Sequence, residues 1–270
     1  MAAVLFAAGL TVAAVFAVLL VSAPQVPSVS LTPVRVLGIG AHAVESSVPL
    51  GRSELLARSA ALLGLLVYAF LAALAAGALY RRTSAGEACF LHLFLVSLNV
   101  EALRLPSLYL YAAAAQVNLV ATLTRVVHMG RLVGLIALFM VALYSMGLRY
   151  SAHGTATAVG LLVASMIAVF VPVDSSRFTR AFLYTVSHGG GLLSVTTTGI
   201  VIILLAVGIA PLIRRDRSLF VLTAAVVCLL AGHELESLGS IVASGAGLPL
   251  LVLGAILSIR RVERFYLRIY

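Results

Sequence analysis

The stretch 59–82, SAALLGLLVYAFLAALAAGALYRR, decides the fold. Residues 59–80 carry no charge, and Arg81-Arg82 then stop the run. As a helix rising ~1.5 Å per residue, such a run reaches about 33 Å, the thickness of a bilayer's hydrocarbon core. The pattern recurs along the chain, with spans at about 2–22, 59–80, 87–106, 126–148, 157–173, 192–213, 218–236 and 241–259. The reading is an all-α polytopic membrane helix bundle of about eight transmembrane helices, with residues 1–270 as a single integral membrane domain. Composition agrees: the chain is 62% hydrophobic and 10% charged, with a mean hydropathy of +1.15. A soluble domain is about a quarter charged.

The first span, 2–22, reads as an uncleaved signal-anchor helix. Val21-Ser22-Ala23 resembles a small-residue cleavage site, but no basic residue precedes the apolar run and Pro24 would follow the cut. Residues 24–57, with Pro24, Pro27, Pro33 and Pro49 among Ser and Thr, form a polar external loop too short for a domain. Residues 107–124 are apolar enough to extend the third span, fold back or lie on the surface.

Arginine sets the orientation. Clusters at 81–82, 214–217 and 260–268 all become cytoplasmic in an eight-span, N-in/C-in topology, which also places Arg149 inside. A ninth crossing through 107–124 would put the last two clusters outside. The net charge of +9 is thereby read as a topology signal, with anionic lipid headgroups as partners of the cytoplasmic arginines and no nucleic acid. The expected location is the bacterial inner (cytoplasmic) membrane.

All 18 of the Lys-plus-Arg residues are arginine. A Walker A loop needs a lysine on the phosphates, and pyridoxal or retinal proteins need a lysine amine. Both are excluded, and no cofactor is expected. Cys89 and Cys228 lie in apolar runs and do not suffice for a thiolate zinc site.

The informative residues are polar groups in the outer halves of the spans, where orientation requires nothing. Glu101 and Arg104 are three apart, hence on one helix face and able to pair. Charge at that depth costs ~2.5–3.5 kcal/mol even on the lenient insertion scale, so it should face the bundle or water. Arg125, His128 and Arg131 recur every third residue at the outer entrance of the fourth span, as a basic face for an anion or as side chains snorkelling to the interface. Gly130 and Gly134 fit a small-xxx-small contact. His233, Glu234 and Glu236 form the densest ionisable patch, yet Ser237 stands where an HExxH zinc helix needs its second histidine. His188 lies ahead of the sixth span, in a Ser-His-Gly-Gly-Gly stretch that lacks the G-x-S-x-G partner of a lipase. A weak internal echo places Glu101 and Glu234 each 20 residues after the first arginine of Arg81-Arg82 and Arg214-Arg215.

The expectation is that Glu101, Arg104, Arg125, His128, Arg131, His188, His233, Glu234 and Glu236 converge on a polar cavity open to the outer side. That favours a small-solute permease or the membrane subunit of a transport complex, with a helix broken near Pro106 or Gly189–Gly191 and other membrane subunits as partners. The alternative is a receptor-like or scaffold protein without catalytic activity, since spans two to eight resemble seven-helix sensor modules in general layout. A membrane-embedded enzyme with a His/Glu metal site is the third reading, and no reaction motif supports it.

Overall fold

The computed structural model of the chain describes residues 30–31, 48–49, 52–112, 116–147, 153–179, 181–186, 191–214, 216, 218–238 and 240–267. The expected first span at 2–22, His188 and Arg149 lie outside the described residues. Among those described, seven helices are long and apolar enough to cross a membrane. They match the second to eighth expected spans, so the protein is an integral membrane helix bundle.

Helix α1 is Arg52–Thr83, with Glu54 in its first turn and Arg81 and Arg82 in its last, each charge suited to its end of the helix dipole. Ser84, at φ 50°, turns the chain at once into the next crossing. That crossing has three parts, α2 (Gly86–Ser97), a 3-10 segment (Leu98–Leu103) and α3 (Arg104–Ala112). Helices α4 (Val117–Ser145), α5 (His153–Phe170), α6 (Gly191–Arg214), α7 (Ser218–Ser237) and α8 (Ile241–Leu267) follow. With strict alternation, Arg81, Arg82, Arg214, Arg260, Arg261 and Arg264 share one face of the bundle, the cytoplasmic one by the positive-inside rule.

The stretch 107–124 is divided. Residues 107–112 continue the second crossing and 117–124 begin the third, so the pair projects outward as a helical hairpin. At ~1.5 Å per residue α4 is about 43 Å long and α7 about 30 Å. The excess of α4, together with α3 and the start of α1, therefore stands beyond the outer end of α7.

A second outer element was not expected. Residues 174–180 read as a polar connection; instead strands β1 (Val173–Phe178) and β2 (Tyr184–Val186) pair antiparallel, in the register Val173↔Val186 and Phe178↔Tyr184. Their tip is apolar and buried, with Phe178, Ala181, Phe182 and Leu183 all turned inward. Thr179 closes the turn through its N–H and hydroxyl, both on the Leu183 carbonyl at 2.8 and 2.9 Å. Two short strands, Ser30–Leu31 and Val48–Pro49, pair antiparallel within the 24–57 connection.

The apolar interior forms two main layers. The larger runs through the bundle and includes Leu65, Phe94, Leu138, Leu222, Leu229 and Leu251. The outer layer joins Leu62, Leu105, Val120, Phe178, Phe182 and Tyr184, with the Tyr111 ring stacked on Phe178 at 4.0 Å. Between lipid-bathed helices there is little hydrophobic drive to associate, so close packing decides contact. Gly130 and Gly134 supply it for α4, because a Cβ there would lie 2.8 Å from Val100 and from Ser97 Oγ respectively. Gly232 and Gly247 do the same between α7 and α8, where a Cβ on either would meet the other's carbonyl at 2.8–3.0 Å. Helices α5 and α6 are peripheral and present Leu162, Phe170, Leu205 and Leu212 outward, toward lipid.

Candidate functional site

The 3-10 segment is where the second crossing changes character, and its sequence explains why. Pro106 has no N–H for the carbonyl four residues back and its ring crowds that carbonyl, so the preceding turn is weakened as α-helix. Ser97 donates to the Phe94 carbonyl at 2.7 Å and Asn99 to the Leu95 and Val96 carbonyls at 3.2 Å, competing with the backbone ladder. A mid-helix 3-10 stretch of six residues is unusual and often marks a functional point. Glu101 sits within it and Arg104 follows it directly.

Glu101 is 3% exposed and uses both carboxylate oxygens. Arg131 of α4 donates Nε to one at 2.6 Å and Nη2 to the other at 3.0 Å. Arg104 donates Nη1 to the same second oxygen at 3.1 Å. The expected Glu101–Arg104 pair therefore exists, but it is one half of an Arg–Glu–Arg arrangement. The close approach at Gly130 and Gly134 is what brings α4, and Arg131 with it, against the 3-10 segment.

Arg104 is 1% exposed and joins three parts of the fold. Its Nε donates to the Ala181 carbonyl at the hairpin tip at 2.6 Å, and Nη1 also donates to the Glu236 carbonyl at 3.0 Å. The last carbonyls of a helix lack intrahelical donors, and a cation at that end meets the favourable dipole. One guanidinium thus ties the second crossing to the end of α7 and to the outer hairpin.

Four more of the expected residues gather here. Glu234 interacts electrostatically with Arg131, and His233 with Glu234, Glu101, Arg131 and Arg104. The Phe94 ring lies edge-on to His233 at 6.0 Å. His128 interacts with Arg131, Glu101 and Arg104. Glu236, 3% exposed, interacts with Arg104 and Glu101, and its carboxyl is hydrogen-bonded to Ser244 of α8. Counted at ~1.5–2 Å per residue from the arginine-bearing face, all seven residues fall in one band about 21–30 Å deep. Both carboxylates of the internal echo, Glu101 and Glu234, act on Arg131.

Arg125 stands apart, its Nε 3.5 Å from the Val171 carbonyl at the outer end of α5. Snorkelling does not describe Arg131, which is held inward by Glu101. Glu101 and Arg104 are both buried, and the hairpin tip lies against Arg104 through the Ala181 carbonyl.

Sequence reasoning missed a second buried ion pair. Glu87 at the start of α2 and Arg261 in α8 bind each other near the cytoplasmic face. Arg261 reads as one of a terminal arginine cluster, and only the register of α8 turns it inward. Nearby, the Tyr144 hydroxyl and His153 Nδ1 share a hydrogen bond of 2.7 Å. Among the described residues no group of three or more His, Cys, Asp and Glu is placed to hold a metal ion. Comparison with known protein families, curated proteins and solved structures finds no match to this chain.

Proposed function

We propose that the protein is a small-solute permease, or the membrane subunit of a transport complex, working through the Glu101–Arg104–Arg131 centre. One observation carries this reading: charged side chains from three crossings meet at one depth, at the point where the second crossing leaves α-helical geometry. Transporter sites are typically built at such discontinuities, where irregular backbone and buried charge serve a passing solute. A charged solute group arriving there would compete for guanidinium donors that Glu101, the Glu236 carbonyl and the Ala181 carbonyl now hold. The hairpin then acts as the outer closure, since Arg104 binds both it and the centre.

The test places a cysteine at Ser107, a fully buried residue of α3 three positions beyond Arg104, after replacing Cys89 and Cys228 by alanine. Membrane-impermeant thiol reagents are applied to right-side-out and inverted vesicles. Labelling from at least one face, slowed by a transported solute, is expected. Absence of labelling from both faces overturns the transport reading. It would leave the second one, a receptor-like or scaffold protein, which is supported by Glu101 spending both oxygens on internal partners.

A further inference from the structure

Carboxyls outnumber guanidiniums in the centre, and one carboxyl is left out of the pairing. Glu101, Glu234 and Glu236 supply three acids, whereas Arg104 and Arg131 supply two guanidiniums, both bound to Glu101. Arg104 reaches Glu236 through that residue's backbone carbonyl, not its carboxyl. Oxygen Oε2 of Glu236 is buried with no hydrogen-bond partner among the described residues. Its other oxygen lies against Gly247, where a Cβ would sit 3.2 Å away.

An unpaired, buried carboxylate in a membrane-spanning helix is costly, and neutralisation is the usual outcome. Two neutralising ligands are available to a lone carboxylate, a proton or a metal cation. A hard cation wants about six oxygen ligands. Here one oxygen is free, the Ser244 hydroxyl is the only other described group on the carboxyl, and Arg104 would repel the ion. A proton needs no further ligands and leaves a neutral acid beside the guanidinium.

We propose that Glu236 is an exchangeable proton-binding site of the charged centre. Its position supports exchange, since Glu236 is one residue from the end of α7 at the outer side of the bundle. The groups facing it are Glu101 and Arg104 from the second crossing and Ser244 from α8, with His233 and Glu234 on its own helix. Helix α6 brings no ionisable side chain to its outer half. When the proton leaves, the carboxylate becomes a rival to Glu101 for Arg104, the residue that holds the hairpin tip. This inference goes beyond the transport reading, because a buried carboxyl outside the ion pairing calls for the proton whether or not a solute crosses.

The test is infrared difference spectroscopy of the purified full chain in lipid nanodiscs, titrated with acid and base and with no solute present. A protonated-carboxyl C=O band that appears and disappears with pH is expected in the wild type. It should be lost in Glu236→Gln and kept in Glu234→Gln. Glu236→Asp, which retains an acid, should shift the band, and it assigns the band if the Gln variant does not accumulate. No titrating carboxyl band in the wild type overturns the proposal, as does a band that survives Glu236→Gln or is unmoved by Glu236→Asp. Because no solute takes part, a failure here is separate from a failure of the vesicle labelling.

Discussion

Among the described residues, two ion-pair centres are buried on both sides of the pairing, and they are built on opposite plans. Near the cytoplasmic face, Glu87 meets Arg261, one acid and one base, across two α-helical stretches. Toward the outer side, Glu101 is shared by Arg104 and Arg131, further carboxylates crowd round, and the backbone is broken at the same point. The first plan is what packing requires: one charge cancels one charge, and only the Arg261 Nε is left without a hydrogen bond among the described residues. The second carries excess acid, a free carboxylate oxygen and a guanidinium with three clients. A centre of that kind is poised to change partners, and a closed pair is not.

Four variants, two single and two double, would break or sharpen this contrast. The largest effect is expected for Glu101→Ala, which strands two buried guanidiniums and should cost about 5 kcal/mol or more in denaturant unfolding of the purified protein. Glu87→Ala strands only one and should cost about 3 kcal/mol. The decisive comparison is the double change Glu87→Leu with Arg261→Met. If the inner pair is only packing, it should unfold within about 1 kcal/mol of wild type, since apolar isosteres commonly replace a buried pair without loss. Glu101→Leu with Arg104→Met should recover far less, because Arg131 and the Ala181 and Glu236 carbonyls lose their partners. Equal recovery of the two doubles would erase the distinction.

Smaller effects test how the outer centre is assembled. Gly130→Ala pushes a Cβ into Val100 and should cost about 1–3 kcal/mol, with Arg131 drawn away from Glu101. A vesicle assay would show a larger defect than the stability loss explains. The smallest effect is expected away from both centres. Pro211 in α6 leaves the Val207 carbonyl without its helical donor, and the Thr223 hydroxyl of α7 supplies one at 2.7 Å. Thr223→Val should cost about 0.6 kcal/mol, the usual worth of a hydrogen bond between membrane helices. It should leave the centre's behaviour unchanged.

Much of this was legible in the chain because lipid makes strong demands. Uninterrupted apolar runs fix the crossings, and the arginines at their ends fix the alternation. The convergence of Glu101, Arg104, His128, Arg131, His233, Glu234 and Glu236 was also foreseeable, since charge within a span has few places to go. Three things were hidden. The Arg131–Glu101 bond depends on which face of α4 the glycines turn toward the second crossing, a matter of contact rather than pattern. The 3-10 segment follows from Pro106, Ser97 and Asn99 acting together, though each alone is tolerated in a helix. The hairpin strands are short, and their sequence, VDSSRF and YTV, is polar enough to read as a connection.

The 3-10 segment has a consequence for the second crossing as a whole. Such a helix advances ~120° per residue instead of ~100°, so six residues add about 120° of twist. Glu87 below it and Arg104 above it are therefore set about a third of a turn away from where a continuous α-helix would put them. That offset lets a single helix offer its lower face to α8 and its upper one to the hairpin. The segment works as a phase adjuster: winding it back to α-helix would swing one charged centre away from its neighbours while the other stayed in place.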